Sequence, residues 1–323
     1  MIATVTFNPC LDKHIAVNGL KLNETNRWTG LRQDAGGKGI DVSRAIHIMG
    51  GETMAYGFIG GHEGRTLEII LAENGVPFSL TPIRAETRTC FIIADTRTHQ
   101  QTRINAPGPR ITRKELDIFF RHLWQMSPRP QLLVAAGSIP PGCPDDIYYR
   151  LTLEAKSFGV RTVLDSASRW MKKGIQAKPY LIKPNVQEAE DLLDTGLADE
   201  EAIIGATLRL VEMGIDIVAI SRGQDGIIAA NSETIVKAVP PPVRVKSTVG
   251  AGDSAVAGLS LKLAAGEPLS RACQLAVAMG TAAVLTPGTE LCRRADVERL
   301  LPLIRIEELP VSQRPRASYS ASS

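Results

Sequence analysis

The sequence predicts an α/β protein with a mostly parallel central sheet and a second, small β-sheet beside it. From about residue 110 onward, short apolar segments typical of buried parallel strands alternate with segments long enough for helices. Polar residues follow these strands at their carboxyl ends, where open α/β sheets bind ligands. Nearer the start of the chain, residues 12–33 lack a helical period and residues 87–104 alternate like short half-buried strands, which indicates the separate small sheet.

The elements follow in order along the chain. A first strand is predicted over residues 3–7, because its β-branched and aromatic residues stop at Asn8-Pro9. A glycine loop at residues 36–39 then opens a helix that closes at Gly50-Gly51. The later parallel strands are predicted at residues 132–136, 162–164, 180–182 and 217–220. Apolar spacing predicts two further helices, over residues 252–265 and 269–285.

The composition excludes several classes of protein. The 323 residues are 44% hydrophobic and 22% charged, with a formal net charge of +3, so the chain is neither disordered nor collagen-like. Without a basic run, this charge argues against a nucleic-acid partner. No apolar stretch approaches the ~20 residues that span a bilayer, and no signal pattern opens the chain, so we expect a cytoplasmic protein without a membrane partner. Five scattered cysteines and unpaired histidines predict neither disulfides nor a dedicated transition-metal site.

The strongest functional motif is the segment 248–254, TVGAGDS, directly before an apolar helix. Its glycines let backbone N–H groups converge, and the helix start adds the positive end of its dipole, so the loop is suited to bind a phosphoryl group. A carboxylate at Asp253 repels phosphate, and we interpret it as the base that accepts a proton from an attacking hydroxyl. An aspartate in a first helical turn, after glycines that only make a turn, explains the same residues equally well.

Two further motifs lie at strand ends. Lys183, held extended by the following proline, could meet nucleotide phosphates, and Glu188 could hold a magnesium ion through water. A capping box between Asn185 and Glu188 explains that motif without any ligand. The glycines of residues 221–226 let the backbone approach a ligand, although a plain hairpin turn is the better interpretation of that segment alone.

A second glycine loop and several charges belong to the first hundred residues. Gly36-Gly37-Lys38-Gly39 matches neither a full Walker sequence nor GxGxxG. A fold that joins it to the loop before Asp253 could bind two ligands side by side. The charged residues in or beside the predicted small sheet could supply a hydroxyl acceptor and phosphate contacts, although each taken alone is more often a solvated surface charge. They are Asp12, Arg27, Arg88 and Arg103.

Taken in order, the residue 36–39 loop, Lys183-Pro184-Asn185-x-x-Glu188 and Gly250-Ala251-Gly252-Asp253-Ser254 resemble the ribokinase-like PfkB carbohydrate kinases, over about residues 1 to 305. Residues 4–12 and 23–27 are similar to the branch of 1-phosphofructokinase and tagatose-6-phosphate kinase. Residues 239–250 and 287–292 are similar to the minor 6-phosphofructokinase. The resemblance therefore points to two branches of one family.

The resemblance implies one ribokinase-like domain over residues 1–310, with the central sheet sandwiched by helices, and a flexible tail over 311–323. Residues 12–33 and 87–104 would form a β-sheet lid that covers the sugar and pairs two subunits. The implied activity is ATP- and Mg²⁺-dependent phosphorylation of fructose 6-phosphate or tagatose 6-phosphate to the 1,6-bisphosphate. Fructose 1-phosphate is the alternative acceptor, and a non-catalytic sugar-phosphate-binding regulator is the alternative function. A nicotinamide oxidoreductase is disfavoured, because no GxGxxG follows the first strand.

The resemblance also assigns residues to roles. The catalytic set is the base Asp253 with the backbone of Gly250, Ala251 and Gly252. The nucleotide set, in which Glu188 would serve magnesium through water, comprises Lys183, Asn185, Glu188, Ser221, Gly223, Gly226 and Thr248. The sugar-phosphate set comprises Asp12, Arg27, Gly37, Lys38, Asp41, Arg88, Arg103 and Ser138.

Three positions depart from the family pattern. Asp41 stands where the family usually has asparagine, so an acceptor-only carboxylate replaces an amide in the sugar site. Thr25 and Lys38 stand where the minor 6-phosphofructokinase has lysine and glycine. Phosphate recognition therefore need not follow the pattern of that enzyme.

Overall fold

The computed structural model describes residues 1–288 and 290–313. The strands of this part of the chain are β1 (Ile2–Thr6), β2 (Cys10–Val17), β3 (Trp28–Gly36), β4 (Thr53–Ile59), β5 (Phe78–Pro82), β6 (Arg88–Asp95), β7 (Gln101–Asn105), β8 (Leu132–Ala136), β9 (Arg161–Asp165), β10 (Leu181–Ile182), β11 (Ile217–Ser221), β12 (Ile227–Ala230), β13 (Thr234–Val239) and β14 (Arg305–Pro310). The α-helices are α1 (Lys38–Ile48), α2 (Gly61–Glu73), α3 (Arg113–Trp124), α4 (Ile147–Ser157), α5 (Ser168–Gly174), α6 (Val186–Leu193), α7 (Glu200–Glu212), α8 (Ala251–Ala264), α9 (Leu269–Val284) and α10 (Arg294–Leu300).

The central sheet confirms the predicted α/β fold class. Its strand order is β14-β13-β12-β11-β10-β9-β8-β1-β4-β5. Seven neighbouring strands of this sheet are parallel: β11, β10, β9, β8, β1, β4 and β5. Strands β12, β13 and β14 add an antiparallel edge. Strands β1 and β8 are buried at every position. This burial explains why β8 appears in the sequence as a continuous apolar run, whereas β1 also contains two threonines.

Helices cover both faces of this sheet, as the ribokinase-like resemblance implies. On one face, α1, α8, α9 and α10 pack around buried side chains such as Ile46, Val256 and Met279. On the other face, helices from α3 to α7 pack around Phe119, Tyr148 and other large side chains. The helices predicted at residues 252–265 and 269–285 are α8 and α9, each within one residue of the predicted bounds.

The small sheet predicted from residues 12–33 and 87–104 is also present, and we call β2, β3, β6 and β7 the lid after the role that the resemblance implies. Its strand order is β3-β2-β6-β7, and residues 18–27 connect β2 to β3 without strand structure. One face of this sheet carries Asp12, which is paired with Asp34 on β3 and with Cys90 on β6. Because side chains alternate along a strand, Ile15 and its partners Leu31 and Ile93 lie on the opposite face.

Near the end of the chain, Val311–Gln313 form a short 3₁₀ turn after β14. The remaining residues of the predicted flexible tail, 314–323, lie outside the described residues, and that prediction stays a prediction. Among the helices of residues 1–288 and 290–313, none has the length and apolar character to cross a bilayer.

Candidate active site

The segment 248–254 begins α8 in the way the sequence indicates. Gly250 caps the helix with a φ of 74°, a left-handed conformation that glycine adopts without strain. The first hydrogen bond of the helix runs from the Ser254 N–H to the Gly250 carbonyl at 2.8 Å. The N–H groups of Ala251, Gly252 and Asp253 precede that bond and have no helical carbonyl to bind. They form a donor set at the positive end of the helix dipole, suited to an anion.

Asp253 lies in the first turn of α8 and is 9% exposed. Burial raises the pKa of its carboxyl to about 6, against the opposing effect of the Lys38 and Lys183 ammonium groups, while Asp165 and Asp12 raise it further. These interactions bring together, around one carboxyl group, residues from both ends and the middle of the chain. A buried carboxyl with a pKa near neutrality is suited to proton transfer.

Asp165, the last residue of β9, holds two ammonium groups beside Asp253. Its Oδ2 lies 3.0 Å from Lys38 Nζ, and its Oδ1 lies 3.5 Å from Lys183 Nζ. Although burial alone acts to raise it, the pKa of Asp165 is lowered because both lysines stabilise the carboxylate. Lys183 Nζ is also 3.9 Å from the position that a Cβ on Gly252 would occupy, so it faces the start of α8.

Asp165 was given no role by sequence reasoning, although its position at a strand end was the available signal. A carboxylate directly after a buried parallel strand lies where such sheets bind ligands. Its role as the partner of two lysines from distant parts of the sequence can be recognised only in the folded structure, where each lysine lies beside one of its carboxylate oxygens.

The capping box expected as the alternative for the Lys183 motif is formed. Asn185 accepts a hydrogen bond from the Glu188 N–H at 2.8 Å, and Glu188 Oε2 accepts one from the Asn185 N–H at 2.9 Å. Lys38 is close enough that Glu188 helps to raise its pKa, against the larger opposing effect of burial and together with Asp165 and Asp253. Glu188 is therefore both a helix cap and a charge at the edge of the site.

A cavity of about 750 Å³ opens next to the start of α8. Its lining includes four of the residues assigned to the nucleotide together with small side chains of α8 and α9 that leave room for a flat ring: Ser221, Gly223, Gly226, Thr248, Ala251, Gly252, Ala255, Ala276 and Gly280. A Cβ at Gly226, whose φ is 81°, would overlap the Ala238 carbonyl oxygen. Residues 221–226 are, as expected, the turn of an antiparallel hairpin, and this turn also forms a wall of the cavity.

The loop at residues 36–39 leads into α1 on the lid side of Asp253. Gly37 has a φ of 118°, and a Cβ there would overlap Thr6. In the next turn, Asp41 Oδ1 accepts a hydrogen bond from Arg44 at 2.9 Å. Burial raises the pKa of Asp41 well above its usual value, against the attraction of Arg44 and with further increases from Asp253 and Asp12.

The Asp12 side chain projects from β2 toward Asp41 and Asp253. Burial raises the pKa of its carboxyl, while the Cys10 thiol and Arg88 oppose this rise. Its carboxylate fills the space where a side chain at Gly36 would lie. Any larger residue at position 36 would therefore displace Asp12.

Arg88 and Ser138 border the lid side of the site, but their side chains are already hydrogen-bonded to other residues of the protein. Arg88 donates from Nε and both terminal nitrogens to the backbone carbonyls of Asn8 and Ala106, at 2.8 to 3.2 Å. The Ser138 hydroxyl accepts a hydrogen bond from Asn8 Nδ2 at 3.0 Å. Both residues thus anchor the segment between β1 and β2.

The other two predicted arginines lie farther out on the lid. Arg103 is on the outer strand β7 at the level of His14, two residues beyond Asp12. Arg27 is exposed and precedes β3 at the far end of the lid, where Val17 pairs with Trp28. Since Val17 is five residues beyond Asp12 on β2, Arg27 is about 16 Å from Asp12 along the sheet. Within one chain, Arg27 is not brought into the cluster around Asp253.

Comparison with known proteins gives one family. Residues 5–296 match the model of the pfkB family carbohydrate kinases. The chain is 34% identical over 303 residues to the ATP-dependent 6-phosphofructokinase isozyme 2 of Mycobacterium tuberculosis, covering 94% of this chain and 89% of that protein. It is 31% identical over 309 residues to the 1-phosphofructokinase of Bacillus subtilis, covering 96% of this chain and 100% of that protein.

A crystal structure of phosphofructokinase-2 from Escherichia coli, in complex with substrates and products, superimposes with a TM-score of 0.90 at 30% identity. The alignment covers 94% of this chain and 98% of that one. The family match covers the small sheet, the Asp253 cluster and all of the central sheet except the first residues of β1 and the edge strand β14. This chain belongs to the pfkB family of carbohydrate kinases, which transfer a phosphoryl group to an alcohol acceptor.

Proposed function

We propose that this protein transfers the terminal phosphoryl group of ATP to a hydroxyl group of a ketohexose phosphate, giving a ketohexose bisphosphate. The observation that carries the proposal is the buried Asp253 carboxyl beside the free N–H groups that begin α8, with Lys38 and Lys183 close to it. This site lies between the 750 Å³ cavity and the lid. A phosphoryl donor on one side and a sugar on the other would meet at Asp253.

Asp253 acts as the general base in this proposal. Its carboxylate accepts the proton of the sugar hydroxyl as that oxygen attacks phosphorus. The N–H groups of Ala251, Gly252 and Asp253 stabilise the negative charge on the transferring group, as preorganised donors do. Lys183 neutralises charge on the nucleotide phosphates, and Asp165 keeps both ammonium groups in place for this task.

ATP is the nucleotide implied by the family, and the cavity is where we place its base. Ser221, Gly223, Gly226 and Thr248 border that cavity. Glu188 is a hard carboxylate donor held by the Asn185 N–H, which fits a magnesium ion bound through water. Such an ion would neutralise the phosphate charge when it is bound. Asn185 contributes by fixing the Glu188 carboxylate.

The sugar phosphate would lie under the lid. Asp12 and Asp41 offer carboxylates that accept hydrogen bonds from sugar hydroxyl groups, and Gly37 lets the backbone approach the sugar closely. Lys38 supplies positive charge on the same side as these carboxylates. The remaining sugar-phosphate contacts of the proposal are Ser138, Arg88 and Arg103. Arg27, at the far end of the lid, is too distant to be one of them within a single chain.

The acceptor we propose is the 6-phosphate of fructose or tagatose, with fructose 1-phosphate as the second candidate, because relatives of both kinds share about a third of the sequence. Steady-state kinetics of the purified protein with fructose 6-phosphate, tagatose 6-phosphate and fructose 1-phosphate would separate them. We expect the highest kcat/KM with a 6-phosphate. Preference for an unphosphorylated sugar or a nucleoside would refute the sugar-phosphate proposal.

The Asp253 pKa of about 6 predicts an acid limb in the pH profile. A protonated carboxyl cannot accept the hydroxyl proton, so kcat/KM for the sugar should fall about tenfold per pH unit below that value and level off above it. Rates between pH 5 and 9 test this. Because a sugar phosphate itself ionises near pH ~6, the profile is compared with that of Asp253→Asn, in which only the substrate's own step should remain. A wild-type rate that does not change with pH would contradict the assignment.

We propose further that the lid pairs two copies of the chain. The lid face away from Asp12 carries Ile15, Phe91 and Ile93, with Leu31 and Ile104 respectively 49% and 55% exposed. Contiguous exposed apolar side chains on a sheet face are typical of an interaction surface. This face of one lid can pack against the same face of an identical lid, related to it by a two-fold axis.

Leu31→Arg should convert the proposed dimer to a monomer, because it places a charge in the middle of the buried face. Sedimentation velocity of the variant and of Leu153→Arg, a change at an exposed leucine of α4, measures the effect. A dimer that persists in Leu31→Arg, or a wild-type monomer at micromolar concentration, would exclude the lid as the interface.

A further inference from the structure

Two cysteines and an aspartate meet on the inner face of the lid. Cys10 and Asp12 are two residues apart on β2, and Cys90 on β6 is the register partner of Asp12. The sulfur atoms of both cysteines and a carboxylate oxygen of Asp12 all lie within 4.8 Å of one another. The Cys10 thiol donates a hydrogen bond to Asp12 Oδ1 at 3.0 Å. The wide sequence separation of the cysteines conceals this cluster, which is why the sequence alone predicts no transition-metal site.

Strand register argues against a disulfide between these cysteines. Cys10 is the partner of Arg88, so Cys90 is displaced from it by one strand and two residues. One strand spacing of about 4.8 Å and two residues of about 6.6 Å separate the Cα atoms by about 8 Å. Disulfides need Cα atoms closer than about 7 Å. The two sulfur atoms are therefore better placed to ligate a common metal ion than to form a bond to each other.

We propose that Cys10, Asp12 and Cys90 bind a borderline-soft divalent cation of the Zn²⁺ class. Two thiolates and one carboxylate are a donor set that Zn²⁺ accepts, whereas Mg²⁺ prefers oxygen donors alone. Binding forms two metal–sulfur bonds and one metal–oxygen bond and releases two thiol protons to solvent, so no oxidant is involved. A water molecule completes a tetrahedral site.

Access to this site is from the side of Asp12. Both cysteines are buried, at 4% and 3% exposure, whereas Asp12 is partly exposed toward the space under the lid. Arg88 lies across from Cys10 on β6, and its positive charge acts against the hydrogen bond with Cys90, the burial and the Asp12 charge that together raise the pKa of Cys10. The absent side chain at Gly36 leaves the space that the Asp12 carboxylate occupies beside the two sulfurs.

The consequence for activity rests on the proposed function, in which Asp12 accepts a hydrogen bond from the sugar. A carboxylate that is bound to the cation cannot make that bond, so the cation should inhibit the enzyme. Inhibition should be competitive with the sugar phosphate. It should not be competitive with ATP, which we place on the other side of Asp253.

Cadmium binding to the intact protein tests the site without measuring activity. Cd²⁺ takes the same donors and gives an ultraviolet sulfur-to-metal charge-transfer band, which is titrated in the wild type, Cys10→Ser, Cys90→Ser and Cys143→Ser. Cys143, which is partly exposed and lies outside the cluster, is the matched control. We expect each of the first two changes to weaken binding at least about tenfold, and Cys143→Ser to leave it unchanged. An unchanged band in Cys10→Ser and Cys90→Ser, or its loss in Cys143→Ser, would overturn the proposal.

A measurement on the wild type alone guards against variants that fail to fold. Alkylation with N-ethylmaleimide under partly denaturing conditions, with and without Cd²⁺, followed by peptide mass spectrometry, identifies the thiols that the metal protects. Protection of Cys10 and Cys90 together supports the site, and protection of any other pair refutes it. Neither experiment depends on turnover, so a protein that binds cadmium here but phosphorylates no sugar phosphate would refute only the proposed function.

Discussion

Replacing Asp253 with asparagine should lower kcat by about 10²–10⁴, the effect of removing a general base. The amide has nearly the same shape as the carboxyl group but cannot accept the hydroxyl proton. Because burial already disfavours the charged form of Asp253, the variant should be at least as stable as the wild type. Turnover under saturating ATP and sugar phosphate, together with nucleotide affinity from titration calorimetry, measures both parts of the prediction.

The matched control is Asp296→Asn. Asp296 occupies the third position of α10, as Asp253 does in α8, but it is partly exposed and paired with Arg299 at 2.9 Å. If the carboxyl group of Asp253 serves only the helix dipole, the two changes should have the same small effect. Near-wild-type turnover in Asp253→Asn would therefore remove the base from the mechanism.

Replacing Asp165 with asparagine should have the largest effect on stability. Asp165 is 1% exposed, and its carboxylate is held between two ammonium groups at 3.0 and 3.5 Å. Loss of one partner from a buried ion pair costs about 3–5 kcal/mol, because the remaining charge is buried without the group that it was paired with. Lys38, at 41% exposure, can turn to solvent, whereas Lys183, at 5%, cannot, so most of the cost falls on Lys183.

Urea unfolding of Asp165→Asn and of Asp194→Asn measures this difference. Asp194 also pairs with a lysine at 3.0 Å, but it is 83% exposed, and exposed pairs contribute about 0–1 kcal/mol. We expect the free energy of unfolding to fall by several kcal/mol in the first variant and to change little in the second. A loss below about 1 kcal/mol in Asp165→Asn would mean that water reaches Lys183 after all.

The fold is predictable from sequence where burial leaves a local signal. Strand β8 is buried at every position and appears as an uninterrupted apolar run, and α8 follows a glycine cap, so both were predicted to within one residue. The register of the lid has no such local signal. The pairing of Asp12 with Cys90 depends on how β2 and β6 meet, and neither segment alone encodes that alignment.

The candidate site is predictable only in part, for a related reason. The glycines around Asp253 have a motif because several backbone requirements fall on neighbouring residues. Asp165 has none, since its partner Lys38 begins α1 and its partner Lys183 follows β10, both far from it in the sequence. Arg88 is the opposite case, in which the residue type suggests more than the structure supports. Its charge suggests a phosphate contact, but three of its N–H groups bind backbone carbonyls.

The neighbouring positions of Asp12 and Asp253 have a consequence for synthesis on the ribosome. The two residues come from opposite ends of the sequence, and α8 packs against α1 and the sheet on one face of the molecule. A nascent chain that ends before α8 therefore holds its first strands and helices with that face uncovered. Such apolar surfaces are the ones that chaperones bind and that aggregate when left alone. Translation must deliver α8 and α9 before the earlier three-quarters of the polypeptide is protected.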